Sequence, residues 1–570
     1  MANSLSEIEP VVKEMCRNAG VPGLAIGVIH DGKVAYESYI GHRDLESNLP
    51  VDCNTLFYVA SLTKAMTATC LGILVHQRKL EWTTPVHEIL PDMSKSTEIF
   101  EAKLTVLDIL SHRTGKAWSD ALYLESNNRI LLPKHESIPI FDYLPQVEPV
   151  RSRFMYNNYA YNIAGLVIEK LSGVSWGQFI KDNLFIPLNM RRSFVCHPDD
   201  DNIAAPYNIL TNRSAHRLPF CNASDETMMF AGQSVRTCMS DLLKYCTTYL
   251  DAFGAMIPIV RQNSTSTHDN LLSRASKLLV SLANSAKRPS EYQVQKYEQE
   301  ESHGGAAASP IKEIATIARP HISRPVANSI LEQTYALGWN RTQLPGALDF
   351  GWNQDMLQSF PLLGEGYAGK LAIWHGGNMP GTTSAILLIP ETKSGVIVLQ
   401  NSLGLCDVTD WTSQLVMDML MLGHPAHDYA TLAAQCVEGG IQRMIKVEEK
   451  LSSEQITGTK SRPLDAYTGR YMNCINNWYI DIKDIQGQLY LEFLGREDER
   501  YQLRHYHHDT FVWNLSYDEI VKRGQYVRSY EYYRLEFEIW GDNDKFSQLR
   551  WRHDKSVPQG EMFSRGIKSP

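Results

Sequence analysis

No run of apolar residues in this 570-residue chain approaches the ~18–20 needed to span a bilayer as a helix. The first ten residues, Met1 to Pro10, are polar and acidic and lack the apolar centre of a secretion signal. There is no Cys-x-x-Cys pair among the ten cysteines, which are scattered from Cys16 to Cys474. That scatter favours reduced, mostly buried thiols over a disulfide framework or a zinc site. Together these absences predict a cytoplasmic protein with no membrane partner. Basic stripes and RNA-binding motifs are missing too, and a net charge of −9 spread along the chain excludes nucleic acid as the main partner. No repeat array is visible. No Gly-x-Ser-x-Gly elbow is present either, so an α/β-hydrolase reading lacks its nucleophile.

What remains is an ordinary globular composition, 43% hydrophobic and 21% charged, in a chain long enough for several domains. A short amphipathic helix is expected over residues 7–20. A buried strand follows at Val21–Ile29, then a turn at Asp31-Gly32 and a returning strand at Lys33–Tyr39. Helical spacing recurs from Ser61 to about Leu80, at Leu104–His112, and over 155–173 and 236–252. Strand-like runs return at Lys370–Trp374, Thr383–Ile389 and Gly395–Gln400, before a helix at Asp407–Met421. Strands first, a helical middle, and strands with a helix last predict one antiparallel sheet built from both ends of an α+β unit over 1–424. Residues 254–330 read as an insertion, with an amphipathic helix from Asp269 to Lys287 and a loop from Arg288 to Pro310. A helical linker is expected over 425–460. Beyond it a period of two (Trp478, Ile480, Ile482; Leu489, Leu491, Phe493; Leu535, Phe537, Ile539) predicts a small β-barrel or sandwich at 461–570.

Three stretches carry chemistry. In Tyr58-Val-Ala-Ser61-Leu-Thr-Lys64, serine and lysine stand three apart at a helix start, so the amine can reach the hydroxyl. A lysine kept neutral by burial can take the proton that makes a hydroxyl nucleophilic. In Tyr156-Asn-Asn158, a phenol and an amide two apart can point into one cleft. A phenol beside an ammonium loses its proton more easily, so Tyr156 is expected to act as base toward Ser61 and as acid toward the leaving group. Asn158 is expected to orient the lysine and hold a substrate carbonyl. The third stretch, Trp374-His375-Gly376-Gly377-Asn378, closes a strand, and its glycines are expected to let a substrate backbone lie close. The amides of Asn378 and Ser61 would then be the two donors of an oxyanion hole.

These stretches, in this order, resemble the serine β-lactamase and penicillin-binding protein superfamily, and within it the esterase, D-aminopeptidase and class C-like branch. The likeness runs through Val21-Pro-Gly23, Leu110–Gly115, Ala231-Gly232 and Tyr335–Trp339, and so covers about residues 7–422. Residues 461–570, opening Leu464-Asp-Ala-Tyr-Thr-Gly-Arg-Tyr471, resemble the lipocalin-like β domain appended to some members. The resemblance implies a β-lactamase/transpeptidase-like fold, Ser61 as acylated nucleophile, and Lys64 and Tyr156 sharing the proton work. It implies two-step acyl transfer on a small-molecule acyl substrate, with no metal or organic cofactor. Where β-lactamases carry Lys-Thr-Gly, this chain has His375-Gly376-Gly377; a neutral imidazole and a missing hydroxyl weaken a pocket for a penicillin carboxylate.

Three functions follow. The chain is expected to cleave an ester, thioester or amide of a small metabolite. It could instead pass the acyl group to an alcohol or amine, as a fungal polyketide acyltransferase of this superfamily does in secondary metabolism. An idle binding scaffold is the third. Two lookalike motifs drop out: Gly364–Lys370 mimics a P-loop but Leu371 replaces its Ser/Thr, and His505-Tyr-His507-His508 splits its ligands between two strand faces.

Overall fold

The structure, a computed structural model, describes residues 5–93, 103–122, 124–125, 128–256, 309–324, 331–539 and 546–566. The helix expected at Asp269–Lys287, nearly all of the Arg288–Pro310 loop and the Gly541–Asp544 turn lie outside the described residues.

A nine-stranded antiparallel sheet organises the first part of the chain. Edge to edge it runs Ile322–Ser323, Gln333–Tyr335, Asn340–Gln343, Leu371–Met379, Thr382–Ile389, Ser394–Gln400, Gly23–His30, Lys33–Asp44 and Leu49–Pro50. The early hairpin pairs with the last long strand, Leu24 opposite Gln400 and Val28 opposite Val396. Both faces of this sheet are covered, so both parities of its strands are apolar. Ala25, Ile29, Ile386, Leu388 and Ile397 join the core of the middle helices, Thr63–His76, Asn158–Ser172 and Met239–Gly254. Leu24, Ile26, Val28, Leu387 and Val398 join the core of Ile8–Ala19 and Val408–Leu422. That is the expected β-lactamase/transpeptidase-like arrangement, a sheet between helices with a helical subdomain on one side.

Some elements are shorter than their spacing suggested. The helix after Ser61 ends at His76 rather than near Leu80, because Arg78 turns into the left-handed region at φ 58°. The Leu104–His112 helix is reduced to Val106–Leu110, whose start is closed by a reciprocal Thr105–Asp108 capping box.

The linker is one 26-residue helix, Tyr429–Glu454. Its buried residues Ala433, Cys436, Val437, Gly440, Met444, Val447 and Leu451 recur at helical spacing, a stripe that packs one face and leaves the other polar. After it, a second nine-stranded antiparallel sheet runs Arg500–Gln502, Gln488–Phe493, Tyr479–Ile485, Gly469–Met472, Glu561–Arg565, Gln548–Trp551, Arg534–Glu538, Thr510–Val512 and Arg504–His507. Its two edge strands are neighbours in the chain, separated only by Leu503, so the sheet curls into a nearly closed barrel. Aromatic rings fill its interior: Trp478, Phe493, Trp513 and Trp551 meet at centroid distances of 5.1 to 5.6 Å.

The barrel and the sheet unit form one compact body. Asp554 accepts from the backbone N–H and the hydroxyl of Ser119, at 2.8 and 3.2 Å. The Asn208 amide donates to the Val521 carbonyl at 2.8 Å, and Tyr143 donates to Glu561. Among the described residues no helix is long and apolar enough to cross a membrane.

Candidate active site

Ser61 does not sit on the α-helix itself but on a 3-10 turn, Ala60–Leu62, that leads into it. Ala60 is held at φ 45°, a conformation disfavoured for a residue with a side chain, directly before the serine. The following helix is buried along its whole first three turns, which carries Lys64 into the interior with no exposed surface.

The three motifs meet at this hydroxyl. Lys64 Nζ lies 3.0 Å from Ser61 Oγ and donates to the Gly232 carbonyl at 3.2 Å. Tyr156, just before the Asn158–Ser172 helix, donates its phenolic O–H to the same Oγ at 3.0 Å. Burial pulls the Lys64 amine from its ordinary 10.5 to about 7, with Asp120 opposing part of that shift. A neutral amine offers one lone pair, and the Ser61 O–H is within reach to fill it. The Tyr156 phenol moves the other way: burial raises it, and the bond to Ser61 and the charge of Arg324 offset only part. Burial thus acts in opposite senses on the two groups that contact Ser61. Desolvation neutralises an amine but holds a phenol protonated, so the surroundings favour Lys64 over Tyr156 as proton acceptor.

His375 is buried on the strand Leu371–Met379. Its Nδ1 lies 2.6 Å from the Gly376 carbonyl and so carries the proton, leaving Nε2 to accept from Tyr335 Oη at 3.1 Å. Burial, then the nearby Lys64, lowers its pKa to about 3. The imidazole is neutral. The two glycines after it are pressed against the protein's own backbone. A Cβ on Gly376 would stand 2.1 Å from the Phe350 carbonyl oxygen, and one on Gly377 would stand 2.3 Å from that of Val59 and 3.1 Å from Ser61 N. Gly377 lets the strand close on the serine turn, and Gly376 lets it close on Phe350.

Ser61, Tyr156, Asn158, His375, Gly376 and Asn378 line one cavity of about 410 Å³. The Asn158 amide donates to Asp120 Oδ2 at 2.8 Å, which ties the second motif to a buried carboxylate.

A family model described as Beta-lactamase matches residues 8–416, and one described as a domain of unknown function (DUF3471) matches residues 454–564. The chain belongs to the β-lactamase family. Over 194 residues it is 31% identical to "Unguisins hydrolase ungD" of Aspergillus violaceofuscus, covering 33% of this chain and 34% of that protein. A "Beta-lactamase" of Providencia stuartii is 22% identical over 192 residues, covering 34% and 47%. The matches thus span about a third to a half of these relatives' lengths. Among solved structures, the octameric penicillin-binding protein homologue from Pyrococcus abyssi has a TM-score of 0.53 at 20% identity, covering 98% of this chain and 100% of that one.

Several residues of this β-lactamase-family cleft carried no signal in the sequence. Trp118 and Asp120 follow the Leu110–Gly115 stretch without a motif of their own, yet both line the cavity. So do Arg324 and Asp349, from either side of the Tyr335–Trp339 stretch. Gln525 to Arg528 come from the barrel, about 150 residues beyond the third motif. There Tyr526 Oη donates to Asn378 Oδ1 at 3.3 Å, and the Arg528 guanidinium lies 4.9 Å from the Trp118 ring centroid.

Proposed function

We propose that this chain hydrolyses an ester, thioester or amide of a small metabolite through an acyl-enzyme on Ser61. One observation carries the reading: the Ser61 hydroxyl lies 3.0 Å from both a buried amine and a phenol, at the wall of a large cavity. In acylation, Lys64 takes the Ser61 proton as Oγ bonds to the substrate carbonyl carbon. The backbone N–H groups of Ser61 and Asn378 hold the developing oxyanion. Tyr156 protonates the leaving alcohol, thiol or amine and is reprotonated from Lys64. Water then attacks the acyl-enzyme with Lys64 as base, releasing the acid and free Ser61. Asn158 and Asp120, joined by a hydrogen bond, line the same cavity. A hydrolase name among the 30%-identical relatives supports cleavage over transfer.

The test is turnover of a 4-nitrophenyl ester by the full chain, with and without an added alcohol. Nitrophenol release with free acid as the product is expected, and Ser61→Ala should abolish it. Dominant ester product at modest alcohol concentration would make the chain an acyltransferase, and equal turnover by Ser61→Ala would remove the nucleophile.

A further inference from the structure

One buried titratable side chain beside the cleft takes no part in the proton transfers above. His112, in the Leu110–Gly115 stretch, is fully buried and holds a left-handed backbone at φ 57°. It grips the chain on both sides of Tyr156. Its carbonyl accepts from the Met155 N–H at 2.8 Å, and its ring Nδ1 accepts from the Asn157 N–H at 3.0 Å. Asn157 is the N-cap of the Asn158–Ser172 helix, so its N–H has no partner inside that helix. Between these two bonds the imidazole packs on the Tyr156 ring, 4.2 Å from centroid to centroid with the planes 34° apart. The rings of Phe154, Tyr161 and Tyr335 enclose it at 4.9 to 5.7 Å. Lys64 Nζ stands 5.0 Å from the centroid of the same Tyr156 ring.

Packing alone does not call for a histidine here. With Nδ1 accepting, the proton sits on Nε2, which is buried without a hydrogen-bond partner among the described residues. Burial, then the nearby Lys64, holds the imidazole well below its ordinary range, so it stays neutral and keeps Nδ1 free to accept. A left-handed backbone and a buried ring N–H without an acceptor both cost stability, and such costs persist where the geometry they secure has a use. From this juxtaposition we infer that His112 is a positioning residue for Tyr156. It sets the phenol on Ser61 so that the phenolic proton passes to the leaving oxygen as the acyl C–O bond breaks. The inference rests on the Ser61 reading, within which Lys64 then returns a proton to Tyr156.

Two esters test this on the full chain: phenyl butyrate and 4-nitrophenyl butyrate share an acyl group but release phenols of different acidity. A proton donor matters more to the less acidic phenol. His112→Phe, which keeps a ring and loses the acceptor, is expected to lower kcat/KM about 10–100-fold on phenyl butyrate and clearly less on the nitrophenyl ester. His112→Asn has an oxygen that can stand in for Nδ1 and tolerates a left-handed backbone, so it should recover part of that loss. In a Tyr156→Phe background either substitution should cost about twofold or less. Equal losses on the two esters, or an undiminished loss in the Tyr156→Phe background, would make His112 a structural residue and overturn the proposal. So would unchanged kinetics in every variant that folds. If His112→Phe does not fold, His112→Asn and its double variant with Tyr156→Phe carry the same comparison. Turnover that survives Ser61→Ala would remove the acyl-enzyme itself; Ser61-dependent turnover with equal losses would remove only the role of His112.

Discussion

In the proposed mechanism Lys64 is the residue whose protonation governs the chemistry. With its amine held at about 7 by burial, the reactive neutral form fills in as pH rises through neutrality. Ser61 acylation by a fluorophosphonate is therefore expected to climb with an apparent midpoint near 7, read from labelling rates between pH 5.5 and 9. A flat profile would show that the amine is not the base. The stability linkage has the same direction. Between about 7 and its ordinary 10.5 the folded amine is neutral while the unfolded one is charged, so this group's contribution to stability rises with pH across that window. Lys64→Met and Tyr156→Phe should each slow ester turnover by about 10²–10⁴-fold. The double variant should be little worse than either alone, because proton acceptor and donor act as a unit. At this scale the spacing Ser61-x-x-Lys64 and the Tyr156-x-Asn158 pair were legible as candidates. The opposite effects of burial on amine and phenol were not, because desolvation is set by what surrounds them rather than by their order in the chain.

Among elements, the strand Leu371–Met379 and the turn Ala60–Leu62 depend on each other. Their approach leaves no room for a methyl at 377, where it would meet the Val59 carbonyl oxygen at 2.3 Å. Gly377→Ala is expected to cost about 1–3 kcal/mol in urea denaturation as the overpacked strand shifts. Ester turnover should fall further than stability alone explains, since the Ser61 and Asn378 amides proposed to hold the oxyanion move apart. Unchanged stability and rate would mean that the contact is looser than described. The five long sheet strands and the long helices were legible, because apolar runs covered on both faces and helical stripes leave plain periodicities; the short strands Leu49–Pro50, Ile322–Ser323, Gln333–Tyr335 and Asn340–Gln343 were not. Helix ends at His76 and Leu110 were not, since the left-handed residues Arg78 and His112 follow them.

For the molecule as a whole, the barrel completes the cleft. Its Asp554 satisfies both the backbone N–H and the hydroxyl of Ser119, which stands between the cavity residues Trp118 and Asp120. Asp554→Ala leaves those donors buried without their acceptor, an expected loss of about 1–3 kcal/mol in urea denaturation. Ser61 labelling should slow in the same variant; a variant as stable and as reactive as the parent would uncouple barrel and site. Period-two spacing made the barrel visible in the sequence, but nothing in it placed Tyr526 or Arg528 at the third motif, because a contact between distant segments leaves no local pattern. The most direct measurement is intact-mass analysis of the full chain after brief exposure to a 4-nitrophenyl ester at pH 8. A single acyl adduct mapping to the peptide that contains Ser61, and absent in Ser61→Ala, is the expected result. An adduct elsewhere, or the same adduct in Ser61→Ala, would contradict it.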